Sequence, residues 1–101
     1  MCTSYHYSKD RQVREKVITE MIGNGKIIKT VTMQEKNRSF PATYQISDTG
    51  IVTILDVSMT MIITRIVASP NRLRRYYQNE PLPEKLLRNA INNVRKGYDL
   101  I

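Results

Sequence analysis

Apolar residues recur along this chain with two different periods. Val13, Val17, Ile18, Met21 and Ile22 follow one another at helical spacing and form one stripe of a helix over residues 9–22. Ser8 suits its N-cap and Asp10 its first turn, while Gly23, Asn24 and Gly25 accept the positive φ that ends it. Before this helix, Thr3, Tyr5 and Tyr7 share one parity and predict a short first strand over 3–7. After it the period becomes two. Ile27, Val31 and Met33 alternate with Thr30 and Thr32 over 26–34. Residues 42–47 form a strand with Tyr44 and Ile46 on one face, and Asp48-Thr49-Gly50 turns the chain into a strand over 51–56. A second turn over 57–60 leads to a last strand from 59 or 60 to 68. The three strands from Ala42 on are close in sequence and predict an antiparallel meander.

Ser69 and Pro70 open a short helix over 70–78, as N-cap and first helical residue. Glu80-Pro81-Leu82-Pro83 then breaks the chain, and Pro83 opens a last helix with the apolar stripe Leu86, Leu87, Ala90, Ile91 and Val94, stopped by Gly97. The methionines at 21, 33, 59 and 61 fall on apolar faces and read as core. The expected class is α+β: a four- or five-stranded antiparallel sheet, an N-terminal helix packed on one face, and two C-terminal helices, with the helices together on one side. One domain over 1–101 is expected, with a strand–helix–meander core over 3–68 and a helical extension over 69–101.

Composition narrows the class and the partners. At 101 residues with 41% hydrophobic and 25% charged residues, the chain has ordinary globular composition for one core. Sixteen Lys and Arg against nine Asp and Glu give a net charge of +7, which favours acidic partners: nucleic acid, an anionic surface or an acidic protein. No apolar run reaches about 18 residues, so no bilayer-spanning segment is expected. The first residues are polar and lack a signal-peptide core, and Cys2 is the only cysteine, which together point to the cytoplasm. One cysteine and one histidine make no structural zinc set. Asp48, Asp56, Glu15 and Glu20 show no metal-ligand spacing, and no phosphate-binding glycine loop or nucleophile signature is present. No metal or cofactor is therefore expected.

Position matters more than total charge. Asn71-Arg72-Leu73-Arg74-Arg75-Tyr76-Tyr77 follows directly on the most apolar strand. On a helix, Arg72, Arg75 and Tyr76 share one face, Leu73 and Tyr77 another, and Arg74 lies apart. Two readings stay open. Either Leu73 and Tyr77 pack down and the arginines are solvated, or this edge binds phosphates while a tyrosine stacks or hydrogen-bonds. Arg65 interrupts the apolar run 61–67, so it pairs with a carboxylate such as Asp56 or Glu20, or lines a site. His6, the only histidine, is a candidate acid or base.

Ser8, Arg11 and Arg14, then Asn24-Gly25-Lys26-Ile27-Ile28, then Val52-Thr53-Ile54-Leu55 and Ile63-Thr64-Arg65-Ile66 resemble the small barnase/RelE-type toxin fold over residues 3–68. The sequence looks closer still to small plasmid- and phage-borne domains of that class. Lys9 and Asp10 stand where those domains carry a histidine. The resemblance implies RelE-like chemistry, in which arginine, lysine and tyrosine on the sheet bind and polarise RNA. On that basis Arg65, Arg75, Tyr76 or Tyr77 would hold the scissile phosphate, with His6 or Tyr98 as proton donor. The nucleic-acid-binding set would be Arg11, Arg14, Arg65, Arg72, Arg74, Arg75 and Tyr77. Partners would be RNA or DNA, and an acidic protein such as an antitoxin. The alternative is a non-enzymatic phage or mobile-element protein that inhibits or regulates a host protein, and a homodimer is a third reading.

Overall fold

The computed structural model describes residues 12–99. The strand expected over 3–7, the cap at Ser8, and the candidate residues His6 and Arg11 lie outside the described residues. Helix α1 occupies 12–22, and its final section, Val17–Ile22, is wound as a π-helix. Gly23 closes it at φ 79° and donates its N–H to the Ile18 carbonyl at 2.9 Å. The wider winding breaks the 3.6-residue period of the apolar stripe. Val17 and Ile18 are buried, whereas Val13 and Met21 are exposed.

Four strands follow: β1 (Ile27–Met33), β2 (Ala42–Ser47), β3 (Ile51–Leu55) and β4 (Ile62–Val67). They form an antiparallel meander in the order β1-β2-β3-β4. The chain is α+β as expected, with a four-stranded sheet among the described residues. β4 starts later than 59 or 60 because Asp56 holds the preceding turn. Its carboxylate accepts from the Ser58 hydroxyl and from the N–H groups of Thr60 and Met61, at 2.9 and 3.0 Å for the last two. Met59 and Met61 are therefore exposed on this turn, Met21 is exposed on α1, and only Met33 of the four is packed against the core.

Helices α2 (Pro70–Tyr76) and α3 (Glu84–Arg95) complete the fold. The Ser69 side chain accepts the Arg72 N–H at 3.3 Å, as its N-cap position predicts. α2 stops at Tyr76, because Gln78 and Asn79 take positive φ, 50° and 75°.

The helices do not share one side of the sheet. The register puts Tyr44, Ile46, Val52, Ile54 and Ile66 on one face, where Leu73, Tyr76, Leu86 and Ala90 of α2 and α3 complete the main core. Ile51 and Val67 point to the opposite face and pack with Val17 and Ile18 of α1. The reason lies in β3, which is apolar on both parities, Ile51 and Leu55 on one and Val52 and Ile54 on the other, so each face needs a cover. A fully buried side chain of this kind stabilises by about 1.5–3 kcal/mol.

α3 also rolls away from its expected stripe. Leu86, Ala90 and Asn93 are buried, while Ile91 and Val94 are exposed. Asparagines set this rotation: Asn89 Nδ2 donates to the Asp48 carbonyl and Asn93 Nδ2 to the Thr49 carbonyl, each at 2.8 Å. The helix thereby seats on the β2–β3 turn. Gly50 permits the approach, since a Cβ there would lie 2.9 Å from Asn93 Nδ2 on a backbone with φ 92°.

Candidate nucleic-acid interface

α2 places the basic cluster of 72–75 at one end of the main core. Leu73, Tyr76 and Tyr77 all point inward and are buried. Tyr76 stacks on Tyr44, with ring centroids 4.8 Å apart and planes at 27°. Tyr77 lies under the Lys29 ammonium, 5.0 Å from its ring centroid, and Lys29 also pairs with Glu80 at 2.9 Å. Neither tyrosine offers a ring face to a base in this arrangement. Burial raises the pKa of both hydroxyls. Arg72 counteracts part of the rise at Tyr76, and Lys29 does the same at Tyr77.

Glu35 organises the polar edge of this core. Tyr76 donates its hydroxyl to Glu35 Oε1 at 3.2 Å, Arg72 donates to the Tyr76 oxygen at 3.2 Å, and Arg72 Nη1 stands 3.9 Å from Glu35 Oε2. The neighbouring Tyr44 hydroxyl is pushed well above the usual tyrosine range, first by burial and then by Glu35. Its oxygen nonetheless meets no partner at hydrogen-bonding geometry among the described residues. Glu35 is absent from the site residues that the sequence suggests. Strand parity carries its signal, because Val31, Met33 and Glu35 alternate inward along β1 and just beyond it.

The arginines therefore have different roles. Arg72 is committed to Glu35 and Tyr76. Arg74 is exposed and donates to Asn71 Oδ1 at 2.8 Å. Arg75 is exposed, with no ion pair or hydrogen bond from its side chain among the described residues. Two depressions meet at Arg75. A cavity of about 610 Å³ is lined by Glu35, Lys36, Asn37, Arg74, Arg75 and Asn79, among others, between the β1–β2 loop and the end of α2. A smaller one of about 320 Å³ is lined by Ser69, Asn71, Arg72, Arg75 and Asp99. Lys36, Arg74 and Arg75 thus share the rim of one cleft whose single carboxylate is already engaged.

The remaining expected residues lie elsewhere. Arg14 is buried and donates to Thr64 Oγ1 at 3.4 Å. Arg65 lies on the α1 face, opposite Thr53, and donates to Asn24 Oδ1. It pairs with neither Asp56, which is occupied in its own turn, nor Glu20. Tyr98 packs against the Val17–Ile18–Ile51–Val67 cluster. Arg65 and Tyr98 are thus associated with the α1 side and Tyr76 with the other, so these three candidate catalytic residues do not converge. Among the described residues, no group of three His, Cys, Asp or Glu side chains is placed to hold a metal ion. No helix among them is long and apolar enough to cross a membrane. No protein-family model, curated protein or solved structure matches the chain.

Proposed function

We propose that the protein binds RNA or DNA through the phosphate backbone, using the Lys36–Arg74–Arg75 rim of the larger cleft. The observation that carries this is Arg75: an exposed guanidinium, without an ion pair or side-chain hydrogen bond among the described residues, at the junction of two depressions. Arginine forks match phosphate oxygens, and a net charge of +7 steers polyanions toward the protein. A RelE-like ribonuclease in the cytoplasm is the narrower version of this proposal. The separation of Tyr76 from Arg65 and Tyr98 favours binding over cleavage by those residues.

One observation favours a second reading, a protein that binds and regulates a protein partner. Val57, Met59, Met61, Ile62 and Ile63 are exposed at the β3–β4 hairpin, without a lysine or arginine among 57–63. Flexible methionines suit an adaptable protein contact. Fluorescence anisotropy with RNA and DNA oligonucleotides across a salt series separates the two. Nucleic-acid binding predicts log affinity falling linearly with log salt. Absence of binding even at low salt defeats it and leaves the hairpin as the better-supported surface.

A further inference from the structure

The walls of the larger cleft carry more than charge. Gln34, Asn37, Gln78 and Asn79 bring four side-chain carboxamides to a space that also holds Lys36, Arg74 and Arg75, with Met33 as an apolar wall. The side chains of Asn37, Gln78 and Asn79 make no hydrogen bond among the described residues, and that of Gln34 is tied only through its amide nitrogen, to the Arg38 carbonyl at 3.0 Å. The consecutive positive φ values of Gln78 and Asn79 turn the chain back at the end of α2, so this wall follows directly on the arginines.

Resting on the phosphate-binding proposal above, we infer that the cleft takes one unpaired nucleobase of a single strand, whose flanking phosphates lie on Arg74, Arg75 and Lys36. Carboxamides present a donor and an acceptor side by side, as does the hydrogen-bonding edge of a base. The Met33 wall supplies an apolar surface for the ring. A volume of about 610 Å³ lies within the range of small-ligand sites. A base inside a duplex has its edge paired and its faces stacked, so only an unpaired nucleotide can enter. Cations alone would hold duplex and single strand through the same phosphates; the carboxamides add a requirement for an accessible base.

The test compares anisotropy binding of a short single strand, the duplex of the same sequence, and the single strand with abasic positions, each as RNA and as DNA. The single strand of at least one sugar type is expected to bind about tenfold more tightly than its abasic form, a good hydrogen-bonded contact to a base edge being worth that much. The double variant Asn37→Ala, Asn79→Gly should reduce that difference to nearly none. Its affinity for the abasic strand should stay unchanged. Glycine at 79 keeps the positive φ, and a circular dichroism melt checks the fold. If single, double and abasic strands bind wild type equally, the base pocket is overturned while phosphate binding stands. If none binds, both fall. A melt showing an unfolded variant moves the comparison to Asn37→Ala alone, where an undiminished difference between base-bearing and abasic strands overturns the pocket.

Discussion

Tyr76 donates its hydroxyl to Glu35 at 3.2 Å, tying the last turn of α2 to the loop that leaves β1. The hydrogen bond joins the buried aromatic layer to the charged cleft, since Arg72 bonds the same tyrosine and stands beside the same carboxylate. It also separates Arg72, held by the fold, from Arg75, which makes no ion pair or side-chain hydrogen bond among the described residues.

Arg75→Ala should weaken nucleic-acid binding and leave the melting temperature nearly unchanged. Removing one phosphate-binding cation should reduce the magnitude of the salt slope by about 0.9 on a duplex. Arg72→Ala should show the opposite balance, because it removes a partner from Tyr76 and Glu35. Parallel anisotropy and thermal melts check this; equal effects of the two variants on both readouts would contradict the division.

Tyr76→Phe keeps the stacked ring and removes only the hydroxyl. The expected loss is about 1.5–3 kcal/mol, because the hydroxyl bonds two charged groups, Glu35 and Arg72. Tyr76→Ala removes the ring from a fully buried site and should cost about 3–5 kcal/mol, by analogy with other large aromatic truncations. Urea unfolding of the two variants measures both, and a Phe variant as damaged as the Ala variant would show that the hydroxyl dominates.

Leu86→Ala should destabilise by about 2–5 kcal/mol, whereas Ile91→Ala should cost much less. Both belong to the apolar stripe of the sequence, but Leu86 is fully buried and Ile91 is 43% exposed. Gly50→Ala should also be destabilising, since its Cβ would press on Asn93 over a positive-φ backbone. Comparable losses at 86 and 91 would place the helix in a different rotation.

Acid should destabilise the fold through two aspartates. The Ser58 hydroxyl and the Met61 N–H lead in lowering the Asp56 pKa to about 2, and the Lys26 N–H leads in lowering that of Asp48, with Lys85 assisting. Both values fall below the unfolded aspartate value of about 3.9. The stabilisation is therefore complete above that pH and is lost as pH falls through the folded values. Asp56→Asn should flatten the decline between about pH 4 and 2. Chemical denaturation at stepped pH tests it, and an unchanged slope would remove Asp56 from the acid response.

Alkali should act through the buried tyrosines. Tyr44, Tyr76 and Tyr77 have raised pKa values in the fold, so the neutral forms are the stable ones. Their contribution is complete below the unfolded value of about 10 and is lost as pH rises through the folded values. Ultraviolet titration of tyrosinate should show a late group of tyrosines ionising together with loss of structure. A single transition at the free-tyrosine value in a protein that stays folded would contradict this.

Local patterning determined the order and type of the described elements. Period-two alternation, the Asp48–Gly50 turn and the Ser69-Pro70 start are short-range signals, and β2 and the start of α2 fall where those signals put them. Long-range packing decided the rest. Ile51 and Val52 are both apolar neighbours, and only the register sends one toward α1 and the other toward α2 and α3. Asn89 and Asn93 look polar in sequence, yet their bonds to the β2–β3 turn set the rotation of α3. Arg72 and Arg75 are equivalent on a helical wheel. Glu35, some forty residues away in the chain, engages one and leaves the other at the cleft, because a side chain's availability depends on what the fold brings beside it.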